Sequence, residues 1–248
     1  MRTLLLRLAA PLQSWGTESK FDIRHTRREP SKSGVIGLLA CALGIRRDDS
    51  AALAELSKLN FGIRVDQEGK LIMDFHTVKA YDDVGKYIRD EPVPERNRFL
   101  TYRYYLADAI FVAAVSSDDN ALMEKLEAAL HRPAFPLFLG RRSCPPTLPL
   151  SLGIRELPLE DALRNEPWKV SAEYQERWQR KHPGQTLHLR MLLDANTEAA
   201  SIAQVRDVPL SYDPAWRRYS FRNVKEDRAS LRFPDTTHDA MAEVEACT

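Results

Sequence analysis

Arg141 and Arg142 stand between the apolar run "AFPLFLG" (Ala134–Gly140) and the segment "SCPP". A guanidinium is a planar fork of N–H donors with no acceptor, so two in a row suit an oxyanion such as phosphate or carboxylate. Pro145 and Pro146 lack amide donors and turn the residue before them away from helix. Ser143 and Cys144 are therefore expected in a loop, with the arginines on a stiff turn and the Ser143 hydroxyl beside them. Solvated charge is the plainer reading of paired arginines, but the rigid flanks favour binding.

Two further groups point the same way. The stretch from Gln13 to Ser33 sets Trp15 and Phe21 among Lys20, Arg24, Arg27, Arg28 and Lys32. Basic side chains neutralise phosphates, and an aromatic plane stacks on an unpaired base for about 1–3 kcal/mol. A core tryptophan ringed by solvated charges is the competing reading. "PSKSG" (Pro30–Gly34) precedes an apolar helix, so Ser31, Lys32 and Ser33 would offer free N–H groups and an ammonium at a helix N-terminus. Capping by serine explains the same residues more simply.

Catalytic patterns are missing from the chain. There is no Gly-rich phosphate loop, HExxH, GxSxG or EF-hand spacing. The six histidines are scattered, and Cys41, Cys144 and Cys247 form neither a CxxC pair nor a metal spacing, so no metal or other cofactor is expected. An odd, dispersed cysteine set fits a reduced, cytoplasmic protein. Gly34–Ile45 is too short an apolar run to span a bilayer, and "MRTLLLRLAAPLQSWG" has charges inside its apolar stretch. Neither a membrane partner nor a signal peptide is expected.

The net charge is only +1, but its distribution is uneven: Met1–Arg47 holds nine Lys or Arg against three acids, and the last fourteen residues hold four acids and no Lys or Arg. One anion-facing surface would account for that asymmetry.

The elements that must position these groups follow from periodicity. "TLLLRLAA" (Thr3–Ala10) reads as a central strand. A long basic loop runs from Leu12 to Ser33, a length that is usually functional in a compact domain. "GVIGLLACALGI" (Gly34–Ile45) reads as a helix packed on a sheet, and a short helix starts at Ser50. "FGIRVDQEGKLIMDFHTV" (Phe61–Val78) has the pattern of a hairpin turning at "QEGK". Lys79–Leu100 is irregular, Thr101–Val115 is one strong strand, Asp118 caps the next helix, and "AFPLFLG" is the strand that delivers the arginines. This order is the split βαβ, ferredoxin-like plan, α+β, with one sheet face free for a ligand as in RNA-recognition domains. Past Gly153, "PLEDALRNE" reads as a short helix, and "TLHLRMLLDA" and "WRRYSFRNV" as strands. The expectation is a small β-rich region over 154–248 ending in an acidic tail from Asp235.

"RLAAPLQSWG", "PSKSGVIGLLACALGIRRDD", "DFHTV", "YRYYLADAIFVA" and "LGRRSCPPTLPL", in this order, resemble the CasD-type subunit family of the type I-E CRISPR Cascade complex. The resemblance spans residues 2 to 153. It implies a ferredoxin-like (RRM-like) palm over 1–153 with a β-hairpin thumb inserted near 76–105. It also implies an RNA-holding role: the 5′ handle of CRISPR RNA as ligand, the Cascade backbone and large subunits as protein partners, and target DNA met only through the complex. Arg103 of "YRYYL" would lie against the RNA and His76 of "DFHTV" would join the binding set. Arg141 and Arg142 would grip the handle's sugar-phosphate backbone.

Relatives in the type I-C system cut the repeat RNA without metal, which needs a base for the ribose 2′-OH and a cation for the phosphate. His25 near Lys20 and Lys32 offers those residue types, and Lys181-His182 does so superficially. The quoted motifs have the type I-E form, in which a separate endonuclease cuts, so a non-catalytic holder is the expectation and the nuclease its alternative.

Overall fold

The computed structural model describes residues 2–16, 22–78, 99–195, 203–213 and 216–233. Among these it is a mixed α+β fold with five helices and two sheets. The first strand, β1 (Arg2–Ala9), sends Leu4, Leu6 and Leu8 into one core cluster and Leu5 into a second on the opposite face. Alternate side chains of a strand point to opposite faces, so a run of leucines has to be covered on both.

β2 (Leu12–Gln13) and β3 (Ile23–Arg24) are two-residue strands within the long basic loop. Helix α1 (Lys32–Leu43) starts two residues before the expected helix, because the Ser31 hydroxyl accepts from the Gly34 N–H. Gly44 ends it in the left-handed conformation, φ 78°. α2 (Ser50–Ser57) follows, then β4 (Asn60–Gln67) and β5 (Lys70–Val78). β6 (Phe99–Ala107), β7 (Ile110–Ser117) and α3 (Asn120–His131) come next. The α3 cap is Asp119 rather than Asp118: its carboxylate accepts from the Leu122 N–H. β8 (Ser151–Arg155), α4 (Leu159–Asn165), α5 (Ala172–Lys181), β9 (Leu187–Asp194), β10 (Ala203–Ser211) and β11 (Arg218–Leu231) are the remaining elements among the described residues.

The large sheet has seven strands in the order β10-β11-β9-β4-β7-β1-β8. Helices α1 and α3 cover one face through Val35, Leu39, Leu126 and Leu130. Ala162 and Leu163 of α4, with Trp168 and Val170 after it, cover part of the other. β9, β10 and β11 extend this sheet beyond β4, so the β-rich C-terminal strands are continuous with it, and residue 153 falls inside β8.

The small sheet is built on β6, which pairs with β5 along one edge and with β2 and β3 along the other. β4–β7 pairing runs to Gln67↔Ile110 and β5–β6 pairing starts at Lys70↔Ala107. Two expectations are corrected by this registry: Phe61–Val78 is not a hairpin closed at "QEGK", and Thr101–Val115 is not one strand. Both chains leave the large sheet for the small one at the same point. Asp108, at φ 56°, breaks the strand, and a side chain at Gly69 would meet Ala107 O and Ala109 Cβ at 2.7 Å. Residues 79–98, where the thumb tip was expected, lie outside the described residues.

"AFPLFLG" is not a strand either. Pro133 and Pro136 have no amide donor for a ladder, and β8 occupies the sheet edge beside β1.

Under the large sheet lies a fully buried ion pair. Arg64 Nε and Nη2 donate to the Asp66 carboxylate at 2.7 and 2.9 Å. Its Nη1 donates to Leu163 O at 2.6 Å and to Glu166 O, and Nη2 to Pro167 O. Asp66 also accepts from the Lys169 N–H, and its carbonyl from Trp168 Nε1. One arginine on β4 thus holds the whole chain segment after α4.

Candidate nucleic-acid interface

The turn that carries Arg141 is closed by Leu139 N–H to Cys144 O at 2.7 Å and Cys144 N–H to Arg141 O at 2.9 Å. Gly140 stands at φ 85°, and a Cβ there would come within 1.6 Å of Ser14 O. That contact, with Ser14 N–H donating to Leu139 O, docks the turn on the chain just after β2. From it Arg141 reaches the small sheet: Nη2 donates to Arg24 O at 2.8 Å, and the guanidinium lies 4.6 Å above the Tyr105 ring.

β6 presents Thr101, Arg103 and Tyr105 on one face by strand alternation. Arg24 of β3 is the register partner of Arg103. Arg103 and Arg141 therefore share this face, Arg141 over the Tyr105 ring, with Arg24 beside Arg103 on the neighbouring strand. Three buried polar atoms here, Thr101 Oγ1, Arg103 Nε and Arg141 Nη1, have no partner among the described residues. A buried polar group left without a hydrogen bond costs about 1–3 kcal/mol, so such atoms call for an explanation. Asp74 faces Arg103 across β5–β6, but its carboxylate is engaged 2.6 Å from His76 Nε2.

Among the described residues no carboxylate pairs with Arg24, Arg27, Arg28, Arg103, Arg141 or Arg142, whereas Arg2, Arg64, Arg155, Arg164, Arg190 and Arg222 all form ion pairs. Arg27 donates its N–H to Trp15 O, and Arg28 is exposed. On the opposite face of β6, His25 stacks on Tyr104 at 5.0 Å and Phe75 packs against Tyr102 at 5.7 Å.

Several expected binding residues are elsewhere. Trp15 is 1% exposed, so it presents no stacking plane. Its Nε1 donates to Gln13 Oε1, and Gln13 Nε2 donates to Leu8 O and Ala109 O, leaving Gln13 committed to the core. The α1 N-terminus is no open anion site: Lys32 N–H donates to Asp207 at 2.9 Å and Lys32 Nζ to Asp194 at 3.1 Å. Arg222 bridges both acids. Ser31 and Ser33 are buried and bonded to each other, and the Ser33 carbonyl accepts from Tyr212 OH, whose pKa is raised chiefly by burial. The chain's own carboxylates fill the position that a phosphate would take. Lys20 and Phe21 lie outside the described residues.

Arg142 and Ser143 are exposed, and the Ser143 hydroxyl is 3.9 Å from Cys144 Sγ. Burial raises the Cys41 thiol above its ordinary range while the Arg47 and Arg142 charges pull it down. Tyr105 was missed at the sequence level, although the alternation of "TYRYYL" puts it on the face of Arg103.

The family model described as CRISPR-associated protein (Cas_Cas5) matches residues 3–225. Over 180 residues the chain is 37% identical to the CRISPR system Cascade subunit CasD of Escherichia coli (strain K12), covering 66% of this chain and 77% of that protein. A chain of a solved CRISPR RNA-guided surveillance complex superposes with a TM-score of 0.74 at 30% identity, covering 98% of both chains. A Cas protein crystal structure gives 0.65 at 34% identity, covering 92% of this chain and 94% of that one.

Proposed function

The chain belongs to the CRISPR-associated Cas5 family, and from that membership we propose that it is the non-catalytic subunit of a type I-E Cascade that holds the 5′ handle of the CRISPR RNA and caps the backbone filament. On this reading its protein neighbours are the backbone and large subunits, target DNA is met through the complex, and the compartment is the cytoplasm. The palm is the part of the large sheet ordered β8-β1-β7-β4 with α1 and α3, the strand order of a ferredoxin-like split βαβ. The thumb is the ribbon that leaves it as β5 and β6.

The observation that carries the reading is that Arg103 of β6 and Arg141, packed over the Tyr105 ring of the same face, have no carboxylate paired to either among the described residues. A face that gathers arginines and supplies no carboxylate to them is suited to an anion from outside, and phosphate matches the guanidinium fork. Arg24 adds a third charge, and Arg27, Arg28 and Arg142 extend the basic surface around it. Ser143 and His76 border it, and Lys20 belongs to the same basic loop.

The nuclease alternative loses one of its groups: Lys32 is held by Asp194, with its side chain 7% exposed. His182 stacks on Trp178 at 4.7 Å and approaches its carbonyl, which separates Lys181-His182 from the arginines' sheet. End-labelled CRISPR repeat RNA incubated with the protein in EDTA, beside a His25→Ala variant, tests the choice. The RNA is expected to be retained uncut by both proteins; specific cleavage lost in the variant would make the chain an endonuclease.

Gly140 supplies a second test. An L-residue in the left-handed region costs about 1–2 kcal/mol, and the 1.6 Å approach to Ser14 O leaves no room for a methyl group. Gly140→Ala is expected to displace the turn and weaken RNA binding nearly as far as Arg141→Ala, with far-UV circular dichroism unchanged. Wild-type affinity in Gly140→Ala would show that the turn does not position Arg141.

A further inference from the structure

On the sheet face opposite α1 and α3 lies a groove of about 670 Å3, between β1 and β7 on one side and the segment joining α4 to α5 on the other. Its floor is apolar, formed by Ala9, Ile110, Leu152 and Val170. Arg7 stands in that floor. β1 turns Leu4, Leu6 and Leu8 toward the helices, so Arg7 shares the face of Leu5.

Arg7 is half-buried, and its guanidinium has neither an ion pair nor a hydrogen bond among the described residues. Arg2, on the same strand, is paired with Glu124 and Glu156. The other cation of the groove, Lys169, is already 2.8 Å from Glu166. Asp108 also lines the groove, and it forms no ion pair with a cation among the described residues, Arg7 included.

We propose that this groove docks a segment of a neighbouring protein subunit, one that places a single aspartate or glutamate side chain on Arg7 and apolar side chains on the floor. The inference rests on the reading of the chain as a subunit of an assembly, but not on how the chain holds RNA. Charge complementarity selects the occupant. Nucleic acid is drawn to rows of cations that match its rows of phosphates, and here one arginine is free within an apolar setting. A lone carboxylate flanked by apolar residues meets both features, and the pair would be desolvated on docking, where a matched charge contributes most.

The test uses the full chain assembled with its partner subunits and CRISPR RNA. A benzophenone amino acid in place of exposed Thr147, on the groove rim, is irradiated and the adduct is identified by mass spectrometry. The expected adduct is a partner-protein peptide containing Asp or Glu. Arg7→Glu should weaken its assembly about 30-fold or more, Arg7→Gln less, and Lys at the cross-linked acid should restore assembly with Arg7→Glu. RNA binding by the isolated Arg7→Glu chain should equal that of wild type, so failure of the RNA reading shows separately, as weak RNA binding by the wild-type chain itself. An adduct to RNA, an adduct to no macromolecule, or assembly unaffected by Arg7→Glu would overturn the proposal.

Discussion

Reversing Arg103 and Arg141 together to glutamate is expected to lower affinity for CRISPR repeat RNA by roughly two to four orders of magnitude, since each charge-assisted hydrogen bond contributes about 1.5–3 kcal/mol and every 1.4 kcal/mol is tenfold. Both side chains already occupy a desolvated place, with Arg103 Nε and Arg141 Nη1 buried and Arg141 fixed by Arg24 O and the Tyr105 ring. Little further ordering is required of them on binding, so most of the interaction appears as affinity. The loss should be accompanied by a flatter salt dependence. Each single-strand phosphate contact removed takes about 0.7 from the slope of log K against log salt. Arginine-to-lysine variants keep charge but lose the planar fork, so they should fall between wild type and the reversal. Titration at several salt concentrations checks all three; an unchanged slope in the double variant would place the phosphates elsewhere.

The largest effect on stability is expected at Arg64. Arg64→Ala removes the partner of a buried carboxylate and leaves Leu163 O, Glu166 O and Pro167 O without their donor. Breaking a buried pair from one side costs about 3–5 kcal/mol, which in a chain of this size is about 6–20 °C in Tm. Asp66 keeps the Lys169 N–H, so Asp66→Asn should be the milder change. Because Arg64 lies under the segment after α4 and not at the arginine platform, RNA affinity of the folded fraction should not change. Thermal unfolding followed by circular dichroism gives the Tm; a shift of less than about 2 °C would mean that the pair contributes little to stability.

The element order and the arginine turn were legible in the sequence because they depend on local signals. A nearly unbroken apolar run marked β1, the serines of "PSKSG" marked the start of α1, and the prolines after Cys144 stopped regular structure where Arg141 and Arg142 stand. The errors lie where one periodic run serves two sheets. Nothing in the apolar pattern of Thr101–Val115 marks the break, which depends on a left-handed Asp108 and on the close approach of Gly69 to Ala107. "AFPLFLG" is apolar for another reason: Leu139 is buried beneath the turn while Pro133 and Pro136 keep the segment out of the ladder.

Residue types overstated the basic loop for a similar reason. Trp15 and Lys32 have the chemistry of RNA ligands, but the fold uses both internally. Trp15 fills the space left by Gly34, where a Cβ would come 2.7 Å from its ring, and Lys32 answers Asp194. Those partners are 19 and 162 residues away in sequence, beyond the reach of any spacing rule. Tyr105 shows the converse: an apparent core aromatic, 2% exposed, whose ring supports Arg141.

The arginine platform is expected to hold the handle. The most direct measurement is a hydroxyl-radical footprint of the CRISPR RNA 5′ handle in the assembled complex, comparing wild type with the Arg103→Glu, Arg141→Glu double variant. Protection of the handle in wild type, lost in the variant while the rest of the RNA stays protected, is the predicted result. A handle equally protected in both would move the RNA site off β6 and its turn.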